Sequence, residues 1–290
     1  MISKSTASSV PINGIFANFA LQNPTKSNNI HRTDNPMYAL TDIFDRSTLL
    51  LGEENMKKLN EKKVIIFGIG GVGSWTAEAL IRTGLRSLTI VDADKVAVSN
   101  INRQVPATTE TVGQSKTDAM RAHLLTINPQ ADINAITDIY TVATAEKYDL
   151  EEYDYVVDAI DSISDKALLI YNATRAKRPR LFSSMGAALK TDPARIKTGE
   201  FRTVTGCRLA AALRHRFKKT GMYPSKKFRC VFSEELSPNL GAETRQEFGL
   251  RPDQAPMNFN KKTTNGSLCH ITAIFGMTLA GMIIRSIMAD

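Results

Sequence analysis

The apolar positions of this chain fall into two alternating patterns. Residues 64–67 form a short unbroken apolar run, the pattern of a strand buried on both faces of a parallel sheet, and the run stops at a glycine cluster. Residues 74–82 are rich in Ala, Glu and Leu and predict a helix that Gly84 is placed to end. A second apolar strand covers 88–91 and finishes at Asp92. After Lys116 a helix runs through Met120, Leu124 and Ile127 and closes at Asn128-Pro129. Residues 133–136, 155–159 and 181–185 read as strands, 144–148 as a short helical turn and 164–176 as a helix. Strands and helices alternating at this spacing predict an α/β fold, with a Rossmann-like, mainly parallel sheet and helices on both faces. Ligands of such sheets sit beyond the carboxyl ends of the strands.

The flanks are less regular. Residues 1–36 are rich in Ser, Asn and Thr, have no acid before Asp34 and lack a continuous apolar secretion segment, so a disordered extension is expected. Between 37 and 60 an amphipathic segment places Leu49, Leu50, Met56 and Leu59 to cover a core. A nucleotide-binding domain is expected over 37–188. A smaller, less regular section over 189–290 is expected to pack on the same domain, with 205–217 as its clearest helix. Residues 268–288 are apolar over about the length that spans a bilayer. His270, Arg285 and the Gly, Thr and Ala content favour a helix packed on the sheet or against a dimer partner over peripheral or single-span membrane association.

Charge adds a partner class. The 290 residues carry 37 Lys and Arg against 29 Asp and Glu, a formal charge of +8 and a pI near 9.4. The excess is concentrated, and a concentrated excess points to a polyanion more than a scattered one does. Arg208, Arg214, His215, Arg216, Lys218, Lys219, Lys226, Lys227 and Arg229 lie in a stretch without acids between Glu200 and Glu234, and Arg175, Lys177, Arg178 and Arg180 form a second cluster. The three cysteines are odd in number and contain no CxxC pair, so neither a zinc site nor a disulfide framework is indicated, and each is expected to fill apolar space.

The candidate chemistry starts at the glycine turn. Gly68, Gly70, Gly71 and Gly73 let the backbone turn tightly and approach a phosphate, while the N-terminus of the next helix faces the anion. Asp92, about 20 residues on, falls where a doubly wound fold puts a carboxylate on a ribose hydroxyl. These features alone equally suit a dinucleotide-binding dehydrogenase. Asp94, then Asn100, Asn102, Arg103 and Gln104 in SNINRQ, Gly113 and Lys116 in GQSK, and Asp158 and Asp161 in DAIDS change that balance. Two cations and two carboxylates around a nucleotide suit a triphosphate with Mg²⁺.

GIGGVGS, the Asp92 strand, NRQ, the GxxK step and DAIDS together resemble the ubiquitin-activating-enzyme-like superfamily of ThiF and MoeB. LLLGEENMKKL, VGQSKTDAM, CVFSEE and TAIFGM resemble more closely its branch of tRNA threonylcarbamoyladenosine dehydratases, also called TcdA, CsdL or YgdL. The resemblance runs from about Phe44 to the C-terminus and is thinner after Leu189. It implies a cytoplasmic, ATP-dependent dehydration that closes threonylcarbamoyladenosine at position 37 of tRNA into a ring through an acyl-adenylate, with no enzyme nucleophile. It further implies that Gly70 and Gly71 hold phosphates, that Asp92 and Asp94 lie at the nucleotide, and that Asn100, Arg103, Gln104 and Lys116 approach the triphosphate. Asp161 would hold Mg²⁺, with Asp158 either a second ligand or a strand-end carboxylate capping the next turn. Arg46, in DRSTLLLG, matches the position from which ThiF-like homodimers send an arginine into the partner's site. Arg214, Arg216, Lys218 and Lys219 would face tRNA, a sulfur-transfer protein is a further partner, and no zinc is expected. Two other readings stay open: an adenylyltransferase acting on a sulfur carrier's C-terminus, and a non-catalytic nucleotide-binding adaptor.

Overall fold

The computed structural model describes residues 40–241 and 265–290; the extension expected at 1–36 lies outside them. Two helices, α1 (Leu40–Leu51) and α2 (Glu53–Glu61), lead into β1 (Lys63–Phe67), α3 (Gly73–Thr83) and β2 (Ser87–Val91). Then come α4 (Lys116–Ile127), β3 (Asp132–Ile136), β4 (Tyr155–Asp158), α5 (Ile163–Arg175) and β5 (Arg180–Ser184). The remaining helices and strands among the described residues are β6 (Ile196–Glu200), α6 (Arg208–Thr220), β7 (Arg229–Ser233) and α7 (Cys269–Met288). The seven strands form one sheet in the order β3-β2-β1-β4-β5-β7-β6, and every neighbouring pair is parallel except β6 with β7. The order runs outward in both directions from β1 and β4, which places a ligand crevice beyond their carboxyl ends.

The period of two along each strand divides the core. Val64 and Ile66 of β1, with Tyr155 and Val157 of β4, face a layer built from α3, α4 and α7. Ile65, Phe67 and Val156 face the other way, toward α5 and α6. The expected strands and helices before residue 186 form within one or two residues of their predicted bounds, and α3 ends at Gly84, whose φ is 119°. Two strands after residue 189 have no counterpart in the sequence reading. β7 inserts beside β5 and carries Cys230, Val231 and Phe232 into the core, and β6 closes the edge.

Two expectations need correction. Met56 and Leu59 are buried, but Leu49 and Leu50 are 79% and 82% exposed. Gly52, at a φ of 79°, ends α1, so the segment is two helices with separate faces and the apolar periodicity does not carry across. Cys207 and Cys230 are buried, and burial pushes the Cys230 thiol up to about 12, whereas Cys269 is exposed at the first turn of α7. Helix α7 is long and apolar enough to cross a membrane, yet Ile271, Phe275, Leu279, Ile283 and Ile287 are fully buried against the sheet layer, and Thr76 Oγ1 of α3 donates to the Gly276 carbonyl at 3.1 Å.

Candidate nucleotide site

The glycine turn leaves β1 at the crevice. Side chains are excluded there by contact: a Cβ on Gly73 would lie 1.8 Å from the Gly68 carbonyl oxygen, and one on Gly68 would lie 2.8 Å from that of Ala159, just beyond β4. The amides of residues 70–72 make no hydrogen bond to any described residue, and they precede the first turn of α3, where the helix dipole favours an anion. Gln104 is buried beside the turn, and its Oε1 has no partner among the described residues. A buried amide oxygen without a partner carries a desolvation penalty that a ligand's donor would remove. The cradle therefore fits a phosphate with a hydrogen-bonding group next to it.

Asp92 fixes the turn from β2. Its Oδ2 accepts the Ile69 amide at 2.6 Å and its Oδ1 accepts the Asp94 amide at 2.9 Å. Burial raises the carboxyl above its usual range, with Lys116 opposing. The GQSK segment is bound to the chain after β2 through Val96 N to Gln114 O, Gly113 N to Val96 O and Lys116 N to Asp94 O. That brace brings Lys116 Nζ to 2.7 Å from Asp94 Oδ2 and 4.0 Å from Asp92 Oδ1. The Lys116 side chain is buried while Asp94 remains open to solvent.

Arg103 is tied to α3, the helix that follows the turn. Trp75 Nε1 donates to its carbonyl at 3.1 Å, and its own NH1 donates to Ser99 O at 2.7 Å and Asn102 Oδ1 at 2.8 Å. Burial lowers the guanidinium below its ordinary value, and the Asp161 charge opposes this, so the two lie within electrostatic reach of each other. Asn100 serves the local turn: its Oδ1 accepts the Ala97 amide at 3.1 Å, and its carbonyl accepts the amides of Arg103 and Gln104. Arg46 is exposed on α1.

Asp158 and Asp161 have different surroundings. Asp158 is fully buried: its Oδ2 accepts Ser183 Oγ at 2.6 Å and pairs with Lys166 Nζ at 2.7 Å, and its Oδ1 accepts the Ile160 amide at 3.2 Å. Burial raises its carboxyl, with Lys166 and Ser183 opposing. Lys166 also donates to the Ile160 carbonyl at 3.1 Å, so the pair holds the loop that presents the exposed Asp161. Sequence reasoning missed Lys166, although a lysine among the apolar residues of α5 was a usable signal. It also missed Glu235 as a structural anchor. That carboxylate accepts the Asp192 and Thr191 amides and the hydroxyls of Thr191 and Ser237, which hold it down near 2. It ties the loop after β5 to the chain end of β7, while Asn102 Nδ2 reaches Ser267 O before α7 at 3.0 Å.

The candidate tRNA residues are not grouped around this crevice. Arg214 donates to Val204 O at 3.0 Å and stands over the Phe201 ring, and Arg216 is half-buried. Lys218 and Lys219 are exposed in the last turn of α6. Because α6 leads into the start of β7, and β7 runs parallel to β5, that turn lies at the edge where the strands begin, opposite the glycine turn.

Comparison with known proteins gives the family and the fold. A family profile described as the ThiF family matches residues 44–290. The tRNA threonylcarbamoyladenosine dehydratase of Bacillus subtilis (strain 168) is 34% identical over 247 residues, which are 85% of this chain and 95% of that protein. The crystal structure of the E. coli tRNA N6-threonylcarbamoyladenosine dehydratase TcdA in complex with ATP is similar with a TM-score of 0.73 at 31% identity, covering 86% of this chain and 95% of that one. A sulfur carrier protein adenylyltransferase from Thermus thermophilus is 32% identical over 146 residues, only 50% of this chain and 54% of that protein.

Proposed function

The chain belongs to the ThiF family, and we propose that it is a cytoplasmic, ATP-dependent dehydratase of threonylcarbamoyladenosine in tRNA. One observation carries this reading: beside the glycine turn at the β1/β4 crevice lie two cations, Lys116 paired with Asp94 and Arg103 within electrostatic reach of Asp161. A dinucleotide site needs one pyrophosphate cradle and a ribose carboxylate, and this set exceeds that need. The similarity to the Bacillus subtilis dehydratase along 95% of its length, against about half for the sulfur-carrier enzyme, favours an RNA-borne carboxylate over a protein C-terminus.

ATP, when bound, supplies AMP as the leaving group that a free carboxylate lacks. The amides of residues 70–72 and the α3 N-terminus bind the phosphates, and Gln104 Oε1 accepts a donor from the ligand. Asp92 retains acceptor capacity for a ribose hydroxyl, because each of its oxygens uses one lone pair on the backbone. Lys116 and Arg103 neutralise charge that builds at the triphosphate. Asp161, open to solvent at the crevice, would hold Mg²⁺; Asp158, committed to Lys166 and Ser183, acts by positioning the Asp161 loop. Ile43, Arg46 and Leu50 occupy one exposed face of α1 at spacings of three and four, which supports a homodimer that directs Arg46 toward the partner's site.

The test is the purified protein with ATP, Mg²⁺ and tRNA carrying threonylcarbamoyladenosine. Mass analysis of the nucleosides should show loss of one water and parallel release of AMP. Asp161→Ala should lower turnover by about 100-fold or more with an unchanged melting temperature. Nucleosides unchanged by the wild-type protein would sink the proposal.

A further inference from the structure

The two basic clusters, separate in sequence, meet in the fold. Arg175 NH1 donates to Tyr223 O at 3.1 Å, Ser225 N donates to Thr174 Oγ1 at 3.1 Å, and Lys226 Nζ donates to the Ala176 carbonyl. These bonds fasten the loop after α6 onto the end of α5. The result is a cavity of about 560 Å³ at the edge where β5 and β7 begin, lined by Lys177, Arg178, Arg180, Lys226, Lys227 and Arg229. Among the described residues Glu200 is the single acid in its lining. Arg178 and Arg180 hold Asp154 and Asp290 at 3.2 and 2.6 Å, which leaves Lys177, Lys227 and Arg229 without a carboxylate within ion-pair distance among the described residues. Lys218 and Lys219 are exposed in the last turn of α6, just before the fastened loop.

We infer that this edge binds the phosphodiester backbone of the tRNA substrate, at a place remote from the reacting base. The inference rests on the proposed function for the identity of the RNA, but its geometry is independent of the nucleotide site. Strands of four and five residues, at about 3.3 Å per residue, separate the cavity from the crevice by about 15 Å. A group that touches the reacting adenosine cannot lie here, whereas the backbone of an adjoining stem can. Lys177, Lys227 and Arg229, left over after the acids at this edge are paired, suit a run of phosphates, which neutralise cations without base readout. A lipid surface or an amphipathic peptide would need exposed apolar anchors, and Leu181, Phe182 and Phe228 in the lining are all buried.

The experiment replaces Lys177, Lys227 and Arg229 with Ala in the full chain. Binding of tRNA is measured from low to high salt, together with KM and kcat for tRNA and affinity for ATP. Each lost phosphate contact removes about 0.7 to 0.9 from the slope of log affinity against log salt, so the variant's slope should be shallower by about 2 to 3. KM for tRNA should rise severalfold while kcat and ATP affinity hold. An unchanged slope and KM would overturn the inference. If the triple variant melts lower, the set Lys177→Arg, Lys227→Arg and Arg229→Lys must restore the slope, and failure to do so also overturns it. Wild-type protein that binds tRNA but does not dehydrate it would count against the proposed function alone, with the backbone site still judged by the slope.

Discussion

Lys166→Met is the sharpest perturbation the structure offers. It leaves Asp158 fully buried with Ser183 and the Ile160 amide as its remaining donors, and it frees the Ile160 carbonyl. Removing one partner of a buried ion pair costs about 3–5 kcal/mol, because the other charge stays desolvated. For a domain of this size 1 kcal/mol moves the melting temperature by about 2–4 °C, so a fall of about 6–20 °C is expected. The loss has a pH signature. Burial already raises the Asp158 carboxyl above 3.8, and deleting its largest opposing partner raises it further. A raised folded-state value favours the folded protein most below the ordinary carboxylate range, and that contribution disappears as pH climbs through the folded-state value. The deficit against wild type should therefore be small near pH 4, widen as pH rises, and then level off. Differential scanning calorimetry at pH 5 and pH 8 reads both effects. Asp158→Asn combined with Lys166→Met removes both charges and should recover more than half of the loss. A pH 8 melting temperature within about 3 °C of wild type, about 1 kcal/mol, would refute the argument, as would a double variant whose losses simply add.

Two further outcomes follow from the site. Gly73→Ala forces a methyl group to within 1.8 Å of the Gly68 carbonyl, so calorimetry should show ATP binding lost and the melting temperature lowered; intact ATP binding would remove the turn from the phosphate site. If Arg46 completes the partner's site, Arg46→Ala and Asp161→Ala should each be inactive alone, and subunit exchange between them should return part of the activity, since a heterodimer holds one site with both residues. A verified heterodimer without activity would place Arg46 outside the site.

The half of the fold around β1, α3 and β2 was legible because its signals are local. Unbroken apolar runs need burial on both faces, and a glycine that must avoid the Gly68 carbonyl marks its turn wherever the strand lies in the sheet. β6 and β7 gave no such signal. β6 reads IKTGE, with only partial burial and no alternation, because it is an edge strand whose outer side meets solvent. β7 is buried by β5 beside it and by the two core clusters, which hold residues of α6 on one face and of α7 on the other, and nothing within its five residues encodes them. Leu49 and Leu50 failed for a related reason: helical periodicity identifies a face but not what covers it, and Gly52 lets α1 turn that face away from the core.

At the site, the sequence distinguished residue types but not their states. DAIDS presents two aspartates three positions apart, chemically identical on paper. The fold separates them completely, because Asp158 is the last residue of a strand buried on both sides and Asp161 lies beyond the strand end. A carboxylate that is buried must be paired, so the sequence had to contain a cation able to reach inward. Lys166 is that cation, one turn into α5, and its second hydrogen bond, to Ile160, couples the buried pair to the position of the exposed acid. The basic residues divided in the same way. Arg214 looked equivalent to Lys218 in sequence, yet its guanidinium is committed to Val204 and Phe201, while the lysines four and five positions later are exposed in the last turn of the helix. The physical distinction in both cases is burial: a charge that the fold encloses must be paired within it, whereas Asp161, Lys218 and Lys219 are exposed where a ligand can reach them.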